Sequence, residues 1–128
     1  MNSIRQHHLR FKAQTILGAG RGRRLGVPTV NLDLRDVPVA LKEGIYGCAV
    51  LTGKGKRLPA AMHYGPRAVF KVGIACEVHL IDHTLPSTPP SLEIEVLQFL
   101  RPVRNFDSPE ELVKQIHIDI DDVRALMS

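Results

Sequence analysis

Gly18, Gly20, Gly22 and Gly26 are interleaved with Arg21, Arg23 and Arg24 in a segment that ends at Pro28. Glycine lets backbone N–H groups approach an anion and arginine adds a fork of charged donors, so such a segment can cradle phosphates. It can equally be a solvated basic loop, because both G-x-x-x-x-G-K-[ST] and G-x-G-x-x-G are broken here. Pro28 then fixes a backbone angle and delivers Thr29 and Asn31 on an extended stretch. Their hydroxyl and amide oxygens lie two residues apart and so on one side of the chain. Hard oxygen donors of this kind suit Mg²⁺ carrying the phosphates of a nucleotide, although a turn held by Thr and Asn side chains uses the same atoms.

Glu77 is flanked by Cys76 and Val78 on an alternating segment. A carboxylate in that setting can take a proton from a substrate hydroxyl, or it can simply face solvent from a sheet. His79 shares its face, where it could touch a ligand or serve only the structure. The remaining histidines, His7 and His8 among them, have no metal-ligand spacing to a partner. Cys48 and Cys76 form no C-x-x-C pair and sit among apolar residues, which makes them core residues rather than a disulfide or zinc site.

Strands must position these groups. Residues 7–17, 29–32, 45–52, 58–64 and 75–82 read as extended segments, with a turn at 53–56 between the third and fourth. Leu92, Ile94 and Val96 alternate with Glu93 and Glu95, and the change of pattern at residues 97–99 predicts a bulge or burial on both faces. Residues 84–90 hold three prolines and form an irregular loop. Ser108, Pro109 and Glu111 are an N-cap, a first-turn proline and a capping-box acid, and Leu112, Ile116, Ile120, Val123 and Met127 make an apolar stripe. A helix over about 109–126 follows. Short strands with one terminal helix predict a mostly β fold, a small barrel or closed sheet with the helix packed on it.

The chain has 128 residues, enough for one domain over 1–128, and its 44% hydrophobic content suits a packed core. No apolar run reaches the roughly 18 residues that span a bilayer, and no signal-peptide pattern opens the chain, so a cytoplasmic protein is expected without a membrane partner. Residues 1–35 carry seven basic side chains against Asp33 alone, which attracts a polyanion, either a nucleotide or a nucleic acid. A small basic barrel that binds single-stranded nucleic acid would need grouped aromatic residues. Four Phe and two Tyr, spread along the chain, argue against that class and against a nucleic-acid partner.

In order along the chain, G-A-G-R-G-R-R-L-G-V-P-T-V-N-L (18–32), E-G-I-Y-G (43–47), C-E-V-H-L-I-D (76–82) and F-L-R-P-V-R-N-F-D-S-P-E-E-L (99–112) closely resemble the riboflavin kinase family. The resemblance runs from about residue 9 to 125. It implies a six-stranded antiparallel Greek-key barrel closed by a carboxy-terminal helix, and transfer of the γ-phosphate of ATP to the 5′-hydroxyl of riboflavin, giving FMN and ADP. It further implies that Gly18 to Gly26, with Arg21, Arg23, Arg24 and Pro28, cover the nucleotide. Thr29 and Asn31 would hold Mg²⁺ or another divalent metal, Glu77 would act as base, and Arg101 and Phe106 of the R-P-x-x-N-F element would meet the flavin. A standalone kinase domain acting as a monomer is expected. A flavin or nucleotide binder that keeps the fold without turnover is the remaining alternative. Two loops depart from the family pattern, Y-G-P-R-A-V-F (64–70) in place of G-x-x-P-T-F and 84–90 in place of a loop with an aromatic residue and glycine.

Overall fold

The computed structural model describes residues 8–16, 29–66, 73–85 and 87–127. Six strands form, β3 apolar and buried along nearly its whole length: β1 (Leu9–Ile16), β2 (Val30–Leu32), β3 (Gly44–Leu51), β4 (Arg57–Pro66), β5 (Ile74–Leu80) and β6 (Ser91–Arg101). They close into an antiparallel barrel in the order β1-β2-β5-β4-β3-β6. In that order β6 returns beside β3, the first of three consecutive hairpin-connected strands, which is the Greek-key connection expected above.

Alternation decides which side chains fill the barrel. Ala13, Leu32, Cys48, Ala60, Met62, Cys76, Val78 and Ile94 point inward and are 0 or 1% exposed. Small residues sit opposite larger ones across the ladders, Cys76 beside Leu32 and Val78 beside Met62, so the narrow interior fills without strain. Each fully buried Leu, Val, Ile or Met stabilises the fold by about 1.5 to 3 kcal/mol. Both cysteines are free and buried, as expected, and burial pushes the Cys76 thiol up to about 12 and the Cys48 thiol higher still. Neither is a reactive thiolate.

Two irregularities shape the wall. The β3–β6 register shifts between Ile45 and Tyr46 and again between Gly47 and Cys48, so Leu100 and Leu97 are passed over, and the expected bulge is present. Pro59 is tolerated within β4 because the N–H it lacks would point past the end of β5, on the side where its carbonyl accepts from Ile81.

The helix α1 (Pro109–Met127) starts where its cap predicts, with the Ser108 hydroxyl accepting from the Glu111 N–H at 3.2 Å. It lies on the outer face of β3, β4 and β6. Gly47 is what lets it come close, since a Cβ there would stand 2.5 Å from Leu126 Cδ1. Val123 is fully buried in this contact.

Candidate active site

Cross-strand partners in an antiparallel sheet project to the same face, so the register shows which distant residues meet. One row runs around the barrel: Ile16 pairs with Asn31, Asn31 with Glu77, Glu77 with His63, His63 with Ile45, and Ile45 with Arg101. Asn31, Glu77 and His63 therefore sit side by side on the outer wall. Their faces follow from Leu32, Val78 and Met62, their inward-facing neighbours in sequence. Arg101 lies three strands from Glu77, about 14 Å along the wall at roughly 4.8 Å per strand.

The three neighbours are half-sheltered and polar. Glu77 and His63 keep 17% and 20% of their side chains exposed, with His63 Nδ1 3.8 Å from Glu77 Oε1. The other ring nitrogen of His63 is 2.8 Å from the Pro66 carbonyl oxygen. Asn31 is only 8% exposed, and among the described residues its side-chain amide has no hydrogen-bond partner. A buried amide without a partner costs free energy unless a ligand supplies the contact. Its oxygen, with the Thr29 hydroxyl two residues away, fits a hard divalent cation that takes its other ligands from phosphates and water. Among the described residues no group of three His, Cys, Asp or Glu gathers to hold a metal by itself.

Beyond Glu77 along the same face, His79 lines a cleft of about 330 Å³ between the end of β5 and α1, together with Ile81, Asp82, His83, Ile120 and Arg124. Asp82 adopts a φ of 62°, a conformation rare outside glycine, and its carboxylate is gripped by Arg124, with Nε to Oδ2 at 2.9 Å. That contact holds the Asp82 carboxyl below the usual carboxylate range. The loop that follows is pinned at its far end, where the Thr15 N–H and hydroxyl donate to the Pro90 and Pro89 carbonyls at 3.0 and 2.6 Å.

Arg101 has its guanidinium engaged within the protein. It contacts both oxygens of Asp119 at 3.0 and 2.8 Å and the Pro102 carbonyl at 3.3 Å. Phe106 lies under Arg104, 4.8 Å from ring centre to guanidinium, and near Arg101 at 5.8 Å. Gly18, Gly20, Arg21, Gly22, Arg23, Arg24, Gly26 and Pro28 lie outside the described residues, as do residues 67–70 of the first variant loop.

Sequence reasoning did not single out His63, Asp119 or Glu95. His63 carried a signal, since Leu58, Ala60 and Met62 alternate inward and leave it facing out. Asp119 falls on the apolar stripe of α1 between Ile116 and Val123, and an acid in that position asks for a buried cation. Glu95 looks like a solvent-facing acid but is 5% exposed, with Arg57 at 2.8 Å, His8 at 3.3 Å and Arg10 at 3.4 Å. Burial opposes its charge, yet the hydrogen bond and charge of Arg57, the charge of Arg10 and a hydrogen bond with His8 prevail and lower its pKa.

Comparison with known proteins matches the family model described as "Flavokinase: Riboflavin kinase" over residues 5–127. The riboflavin kinase of Yarrowia lipolytica is 31% identical over 158 residues, covering 94% of this chain and 81% of its own. A trifunctional protein of Mycoplasmoides gallisepticum is 30% identical over 109 residues, covering 85% of this chain but 17% of its own length. Among solved structures, a chain described as a macrolide-efflux protein from Streptococcus pneumoniae superposes with a TM-score of 0.77 at 27% identity, over 91% of this chain and 38% of that one. The barrel, its terminal helix and a match of this extent lead to one conclusion: this chain belongs to the riboflavin kinase family.

Proposed function

We propose that this chain transfers the γ-phosphate of ATP to the 5′-hydroxyl of riboflavin, forming FMN and ADP. The observation that carries the reading is the register row, which sets the buried amide of Asn31, without a side-chain hydrogen bond among the described residues, directly beside Glu77. Phosphoryl transfer asks a protein to align the acceptor, to spread the charge of the phosphates and to take one proton. Glu77 takes that proton from the hydroxyl. Thr29 and Asn31 hold Mg²⁺ or another divalent ion, whose part is to draw charge from the phosphate oxygens. The basic segment 18–28, joining β1 to β2, covers the nucleotide, and the flavin lies toward α1 with Phe106 on its border. Because the Arg101 guanidinium is committed to Asp119, its part is to place Phe106 and the 102–108 segment.

Nucleic-acid binding is not supported by the aromatic residues described. Tyr46 is 6% exposed, Phe11 and Tyr64 pack against the core, and Phe99 stands edge-on to Tyr46. They offer no row of stacking faces. Among the described residues no helix is long and apolar enough to cross a membrane. We place the enzyme in the cytoplasm as a monomer, with its kinase domain over residues 1–128. Incubation with riboflavin, ATP and Mg²⁺, with FMN followed by chromatography, tests the activity. Absence of FMN while riboflavin and Mg-ADP both bind would leave a binder without turnover.

A further inference from the structure

Away from the row of Asn31 and Glu77, charge gathers around Glu95 on β6, which lies three strands from β5 in either direction and so on the opposite wall. Ile94 and Val96 point inward, so Glu95 projects outward, yet it is buried because other side chains close over it. Arg57 reaches its Oε1 from β4 with Nε and Nη2, at 3.2 and 2.8 Å. Arg10 Nη2 and His8 Nδ1 stand 3.4 and 3.3 Å from its Oε2. One fork-shaped partner already matches the charge of a carboxylate. The second arginine is surplus, and two guanidinium groups against one carboxylate leave an excess of positive charge even with His8 neutral. The nearby Glu93 does not cancel it, since Lys12 faces Glu93 across the β1–β6 ladder, and β3 brings only Ala49 and Leu51 to this face.

Arg10 and Arg57 are 58% and 47% exposed, so the guanidinium groups that close over Glu95 also reach water. Each has more N–H donors than its contact with Glu95 uses, and among the described residues neither makes another side-chain hydrogen bond. Because both grip one fixed carboxylate, their unused donors are held side by side at the surface, with less rotamer freedom to lose on binding. A tetrahedral oxyanion has an oxygen for each guanidinium and others to spare, and its charge answers the excess. We propose that Arg10 and Arg57, braced by Glu95, form a second anion site that takes a phosphate group, on the wall opposite the proposed site of transfer. The site binds and does no chemistry, and it stands apart from the reading of Glu77 and Asn31.

The test follows inorganic phosphate through the Nε–H nuclear magnetic resonances of Arg10 and Arg57, in the full chain saturated with Mg-ADP so that the nucleotide side is occupied. Both signals should move and saturate with a dissociation constant of about 1 to 10 mM, while chloride at the same ionic strength leaves them in place. Arg10→Gln should weaken phosphate by about tenfold, and so should Arg57→Lys, which keeps the charge and loses the fork. Turnover of riboflavin by both variants should stay within about twofold of the parent. Vesicles of phosphatidylcholine containing phosphatidic acid identify the source. Sedimentation of the parent with them, lost in Arg10→Gln, assigns the phosphate to a lipid headgroup, and a saturable titration without sedimentation assigns it to a free phosphate. The site is overturned if the two signals stay in place, move without saturating or move equally with chloride, or if both variants bind phosphate like the parent. Phosphate titrated alone reads the same two signals, so a failure of Mg-ADP to bind counts against the kinase reading and not against this site.

Discussion

Arg101 and Asp119 form a two-pronged contact that ties the last residue of β6 to the middle of α1, Nε to Oδ1 at 3.0 Å and Nη2 to Oδ2 at 2.8 Å. Gln115 adds a further donor to Asp119 at 3.1 Å and itself accepts from Arg104 at 3.1 Å. The side chains are 17% and 5% exposed, so removing one leaves the other charge poorly solvated. Asp119→Ala should cost about 3 kcal/mol, read as a fall in the urea midpoint. A midpoint equal to the parent's would mean that the pair only balances its own desolvation.

Replacing Glu77 by Gln removes the proposed base while keeping size and most hydrogen bonding. Turnover should fall by about 10² to 10⁴-fold with Mg-ADP affinity unchanged. Turnover within about threefold of the parent would take the proton-accepting role away from this residue.

Asn31→Ala and Thr29→Ala delete the two oxygens proposed above to serve the nucleotide and leave the residues proposed for the flavin in place. Each should weaken Mg-ADP by roughly tenfold, about 1.4 kcal/mol, with riboflavin affinity changed far less. Calorimetric titration measures both, and an unaltered Mg-ADP affinity in the two variants speaks against a cation held there.

Glu95 gives the fold an acid-side dependence. Its pKa is lowered on folding from an ordinary value of 4.5, so the stabilisation it brings is complete above about that pH and is lost as pH falls through the lower folded-state value. Glu95→Gln should therefore cost about 1 to 3 kcal/mol at pH 7 and flatten the decline of stability below pH 4.5. Asp33, held down to about 2 by hydrogen bonds from Arg35, extends the remaining decline to lower pH. Thermal midpoints from pH 7 to pH 3 separate the variant from the parent, and parallel curves would assign the acid limb to other carboxylates.

Strand faces and the helix start could be read from residue order because both are set within a few residues. Ser108 finds Glu111 three positions on, and Met62 points inward because Ala60 and Tyr64 do. The nearness of His63 to Glu77 was not legible in the same way. It depends on which strands become neighbours after the barrel closes, and a period of two assigns a face without naming the strand beside it. Asp119 and Glu95 were obscured for a related reason, since an acid on an amphipathic element looks solvated until the element that covers it is known. For Glu95 that cover includes Arg57, 38 positions away, and for Asp119 it is Arg101, 18 away. The placement of Thr29, Asn31 and Glu77 as a set came from resemblance, and the register then put Asn31 and Glu77 side by side.

The short β2 has a mechanical consequence. Among the described residues it contributes two register pairs to β1 and three to β5, fewer than any other ladder of the ring. A cooperative unit held by so few bonds is the part of the wall that opens most readily in local fluctuations, and its amides should exchange with solvent ahead of those in the long β3–β6 and β3–β4 ladders. Asn31 lies in the middle of that seam. Anything that binds through Asn31 acts as a clasp on the ring, favouring the closed state by mass action and slowing exchange on both flanking strands. Occupancy of the site and integrity of the barrel are then a single equilibrium, and substrate would protect the protein from unfolding at its weakest seam.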